Sequence, residues 1–256
     1  MKLELFRLKP IMLLRHIRST ATVLIWVVII TGFQSHAQEA TPDKALSNQE
    51  KSIIKIISHT AQGNLSQLKD VLHEGLDHKL TVNEAKEVLV HLYAYAGFPR
   101  SIRGLQTLLE VLEERTAKGI NDEWGPEATT IDDSGSKYER GKTILEELVG
   151  RPLDGKPAYQ KFSPEMDRFL KEHLFADIFE RDVLTHKQRE LVTISVIASL
   201  GSLEPMLRSH LNLSLNVGWQ AEHLKEFTEI LVKTTTEDNV LATKTVLTEV
   251  LKSRTE

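Results

Sequence analysis

An imidazole on an otherwise apolar helical stripe is the group in this chain best suited to moving protons. His210 shares a face, at helical spacing, with Leu203, Met206, Leu207, Ser214 and Val217. Histidine titrates near neutrality, so in such a place it can give or accept a proton. The competing reading is a hydrogen-bonded core histidine, and the residues alone leave both open. Glu190 stands in the first turns of the preceding helical run. A carboxylate there either complements the helix dipole or orients His210 and handles a proton. Arg189 and Arg208 are either solvated or able to clamp a substrate carboxylate with paired N–H donors. Arg208, two positions from His210, falls on a different face. His91 and Tyr95 lie four apart on one helical face, so together they can form a pocket wall.

Other chemistries find no pattern. His73 and His78 are five apart, His59 stands alone, and no His-Glu-x-x-His pair occurs, so no metal is expected. No Gly-rich loop follows a strand and no serine sits in an elbow motif. A cofactor-free reaction is the expectation. The chain has no cysteines, which removes disulfides and thiol redox chemistry.

The elements that must position these groups are helical. Lys2, Arg7, Lys9, Arg15 and Arg18 precede an apolar run from Ala21 to Phe33, followed by Ser35-His36-Ala37. This is the pattern of a secretory signal peptide over residues 1–37, and the run is shorter than the ~20 residues a spanning helix needs. An exported, periplasmic or secreted protein is expected, with no membrane anchor after cleavage. Cleavage would leave 27 basic against 35 acidic residues, a net charge of −8. That disfavours nucleic acid as a partner but leaves room for a small anionic molecule in a locally basic pocket.

From Asn48 the apolar spacing is helical, with breaks at Gly63 and at Gly97-Phe98-Pro99. Thr81 with Glu84 forms a capping box. Residues 119–162 are rich in Gly and Pro and read as a linker, with one helical stretch from Lys142 to Val149. Helices resume after Ser163, and Thr185 opens the run holding Arg189 and Glu190. Residues 48–118 and 163–253 also repeat. Ile53-Ile54-Lys55-Ile56 before Gly63 matches Leu191-Val192-Thr193-Ile194 before Gly201, and Lys86-Glu87-Val88 matches Lys225-Glu226-Phe227, at a period of about 138 residues. The expected fold is all-α, two pseudo-repeated helical units packed as one body.

Three separated motifs carry a family resemblance. The segment Leu80–Val90, continued by His91-Leu92-Tyr93-Ala94-Tyr95-Ala96-Gly97-Phe98-Pro99, resembles the carboxymuconolactone decarboxylase family, in the alkyl hydroperoxidase D-like superfamily. So do Arg189-Glu190-Leu191-Val192-Thr193-Ile194 and Leu207-Arg208-Ser209-His210-Leu211. The second repeat departs from the pattern, reading Val232-Lys233-Thr234-Thr235-Thr236 where the aromatic helix end would fall. A single pocket would therefore draw on both repeats. The resemblance implies the alkyl hydroperoxidase D-like all-α fold, a homo-oligomer (trimer or hexamer), His210 as proton donor and Glu190 as its partner. It implies a cofactor-free lyase, or a related acid–base enzyme, acting on a small carboxylated lactone. Two alternatives stand beside it. Peroxidase activity of the alkyl hydroperoxidase D type would need the missing cysteine pair, and a non-catalytic small-molecule-binding protein would need no turnover.

Overall fold

Ser47 and Thr185 open two helices in the same way. The Ser47 hydroxyl accepts from the Glu50 amide while the Glu50 carboxylate takes the Ser47 amide at 2.7 Å. Thr185 and Gln188 make the same reciprocal pair. Orphan amides at both N-termini are thus satisfied, starting α1 (Asn48–Gln62) and α7 (His186–Leu200), 15 residues each. α2 (Leu65–Asp77) and α8 (Glu204–Asn216) follow them, 13 residues each. A third capping box, Thr81 with Glu84, starts α3 (Val82–Ala117). Its hydrogen bonding continues past Gly97, but the backbone there turns to φ 77°, ψ 166°, so α3 consists of two rods meeting at a kink. Only glycine adopts that conformation freely, and Pro99 has no amide hydrogen to donate. α9 (Ala221–Leu231) and α10 (Glu237–Ser253) close the chain.

The computed structural model describes residues 45–255, so the expected leader at 1–37 lies outside the described residues. Among the described residues there is no strand, and no helix is long and apolar enough to cross a membrane. The chain is all-α, as expected. Between the two groups of helices lie α4 (Lys137–Val149), the short α5 (Ala158–Phe162) and α6 (Pro164–Arg168), and a π-helix, Phe169–Phe179. α4 begins at Lys137 rather than Lys142, because the Ser136 side chain accepts from the Glu139 amide and caps it.

At the centre is α7, packed against α1, α3, α8 and α10. Every residue from Arg189 to Ser199 is buried. In a helix buried on all sides, each polar atom left without an internal partner costs stability. The main apolar core surrounds it, including Ile53, Ile57, Val88, Leu92, Leu191 and Phe227. A second cluster joins α4 to the π-helix through Ile144, Leu148, Phe175 and Phe179. Gly141 allows this contact, since a Cβ there would lie 1.8 Å from the Lys171 carbonyl oxygen. Two ion pairs share the spacing of the sequence repeat. Lys51 binds Glu226 at 2.8 Å, and Arg189, 138 positions after Lys51, binds Glu87, 139 before Glu226, at 2.8 Å.

Candidate functional site

The polar side chains of α7 define the site. Glu190 is fully buried, and its Oε2 lies 2.9 Å from Nδ1 of His210 on α8. An ionised carboxylate only accepts, so Nδ1 carries the hydrogen and Nε2 is left to exchange a proton with a ligand. Glu190 Oε1 has no hydrogen-bond partner among the described residues. His210 is 15% exposed, and its ring lines a cavity of about 340 Å³. The cavity walls are mainly apolar: Leu145 from α4, Leu170, Leu174 and Phe175 from the π-helix, and Leu213 one turn beyond His210. Ser209, Gln160 and Tyr159 add polar atoms.

Behind this pair lies a buried network built from α3 and α7. Arg189 is wholly buried; its guanidinium binds Glu87 at 2.8 Å and the Arg181 carbonyl at 2.5 Å. Arg181 holds the same carboxylate at 2.9 Å. Burial works against the Glu87 charge, but the hydrogen bonds from Arg181 and Arg189 prevail and hold its pKa below the ordinary value. Arg189 also donates to His91 Nδ1 at 3.2 Å. A guanidinium cannot accept, so His91 is the Nε2–H tautomer and donates to Thr193 Oγ1 at 3.0 Å. Burial, reinforced by the Arg189 charge, holds the His91 pKa well below the usual histidine range, and the ring is neutral. The Tyr95 hydroxyl lies 3.1 Å from the same Thr193 oxygen. Burial and the Glu190 charge push the Tyr95 phenol up, so it keeps its proton. Its ring meets His210 edge to face, 6.1 Å between centroids.

The six residues singled out by sequence thus fall into three places. Glu190 and His210 meet directly. His91 and Tyr95 come together, 5.7 Å between rings, and Tyr95 supports His210 from behind; neither is among the residues lining the cavity. Arg189 is spent on Glu87, and Arg208 turns to Glu249 of α10, on the opposite face of α8. No arginine is among the cavity-lining described residues. Sequence reasoning passed over Glu87 and Thr193, which anchor the network, and the walls from α4 and α5. One signal was available: Ser136 with Glu139 three positions on marks the start of α4.

The carboxymuconolactone decarboxylase family model matches residues 164–246. The 4-carboxymuconolactone decarboxylase of Acinetobacter baylyi is 30% identical over 95 residues, covering 35% of this chain and 68% of that protein. The chain belongs to the carboxymuconolactone decarboxylase family. The family-matched stretch holds the π-helix, Glu190 and His210. α3, with Glu87, His91 and Tyr95, precedes it, as do the cavity walls from α4 and α5.

Proposed function

We propose that this chain is a cofactor-free acid–base enzyme, a lyase or a close relative of one, acting on a small lactone or similar carbonyl compound. The carrying observation is the 2.9 Å contact between wholly buried Glu190 and a histidine that opens onto a cavity. Protonated His210 delivers the Nε2 proton to the carbon beside the carbonyl as electron density returns from the enolate oxygen. Glu190 stabilises the imidazolium and fixes its tautomer. Water restores the proton afterwards. The reverse step, abstraction by neutral His210, uses the same geometry. A decarboxylase needs this reprotonation once carbon dioxide has left, so the relative's named reaction is compatible with the dyad. The ion pairs Lys51–Glu226 and Arg189–Glu87 support reading the body as a duplicated unit that builds one site from both halves. Exposed Leu109 and Trp124, which line one apolar groove with Leu105 and Leu112, support self-association into a homo-oligomer.

The test follows both carbon dioxide release and deuterium uptake beside the carbonyl, by NMR in heavy water, over a panel of lactones with and without carboxyl groups. Wild type should exchange or convert at least one compound, and His210→Gln should lose that activity by about 100-fold or more with an unchanged fold. Equal rates in the two proteins would defeat the reading.

A further inference from the structure

We infer that the cavity beside His210 takes an uncharged, largely apolar lactone or ester and rejects a carboxylate. The inference rests on the proposed acid–base role only for the nature of the reacting carbonyl. The selectivity comes from the walls. Leu145, Leu170, Leu174, Phe175 and Leu213 would surround a ligand with hydrocarbon. A carboxylate placed there would give up its water without a cation to replace it. His210 does not serve as that cation, because Glu190 already sets a negative charge 2.9 Å from its ring. Arg189 and Arg208 are paired with Glu87 and Glu249.

Lysines do line a neighbouring cleft, which shares Leu153 and Gly155 with the cavity. They are occupied too. Lys171 and Lys156 both bind the buried Asp167, Lys156 at 2.5 Å. Lys142 stands 3.8 Å from Glu146 and 4.0 Å from Glu139. The other polar side chains on the cavity wall are neutral and partly spent: the Gln160 amide donates to the Tyr159 hydroxyl at 3.0 Å and the Ser209 hydroxyl donates to the Pro205 carbonyl at 3.1 Å. The Tyr159 O–H is left to donate to a carbonyl or ester oxygen.

Three matched probes test this by isothermal titration on the full chain: γ-nonalactone, the same lactone with its alkyl chain ending in a carboxylate, and the methyl ester of that acid. The lactone and the ester should bind alike, and the acid should bind at least about tenfold more weakly. Leu213→Trp, which fills the cavity, should weaken binding of both neutral probes; the comparison of acid with ester stands on wild type alone if that variant fails to fold. An acid that binds as well as its ester, or three probes that fail to bind, would overturn the inference. His210→Gln separates the two claims. Neutral probes that bind wild type and variant alike, with neither protein turning them over, would sink the acid–base role and leave the selectivity intact. Turnover confined to the acid would do the opposite.

Discussion

Among the described residues Glu190 Oε1 has no hydrogen-bond partner, in a helix with no exposed residue between Arg189 and Ser199. Leaving a buried acceptor unsatisfied costs on the order of 1–3 kcal/mol, so Oε1 adds nothing to stability. Glu190→Gln keeps the shape and the contact with His210 but removes the charge that steadies an imidazolium. Turnover should fall about 100-fold while the urea midpoint holds or rises, a pairing that a structural role would not produce. His91, by contrast, belongs to the scaffold. Folded His91 stays neutral, whereas the unfolded chain takes up a proton as pH falls below about 6.5. Its contribution is therefore complete above that value and declines on acidification. His91→Gln should show a smaller drop in urea midpoint than wild type between about pH 7.5 and about pH 5.5. An identical drop would mean that His91 does not carry this dependence.

At the scale of elements, two glycines do different work. Gly97 holds φ 77° at the kink of α3, and a Cβ there would meet only the Pro99 ring, at 3.6 Å. Gly97→Ala should cost about 1–3 kcal/mol through backbone strain alone and leave ligand binding unchanged. Gly141 has no such backbone demand, but its Cβ would strike the π-helix carbonyl of Lys171. Gly141→Ala should cost about 1–3 kcal/mol as well, yet also part α4 from the π-helix and weaken binding in the cavity. Denaturation curves and titrations of the two variants, side by side, separate these outcomes. The sequence showed the first feature and hid the second. Gly97-Phe98-Pro99 is a local stop, legible from conformational rules. The π-helix bonds each residue to the fifth one on, so its apolar residues follow no 3.6 period, and the close approach at Gly141 exists only once two segments have met. Glu190 and His210 were legible from family motifs 20 residues apart. The Glu87–Arg189 pair joins residues 102 positions apart, and nothing in the local spacing of Arg189 says that its helix has no wet face.

For the molecule as a whole, the Glu87–Arg189 pair ties α3 to the central helix. Glu87→Leu would strand the Arg189 charge in the interior and should cost about 3–5 kcal/mol. The Glu87 carboxyl is held below its ordinary value, so its contribution is complete above about pH 4.5 and is lost as pH falls through the lowered folded value. Acid denaturation followed by circular dichroism should show this. The stability gap between wild type and Glu87→Gln stays constant near neutrality and closes on the acid side; a gap that persisted there would contradict it.

The all-round burial of α7 has a practical consequence. Apart from an isosteric exchange such as Glu190→Gln, a change of size at Glu190 disturbs the interior that keeps the protein folded, so this half of the site resists tinkering. α4 and α5 are attached differently, α4 resting on the π-helix and α8, and α5 on α6, and both line the cavity. Rewriting those two walls is the route by which a bench scientist can refit the cavity to a new guest and keep the Glu190–His210 pair.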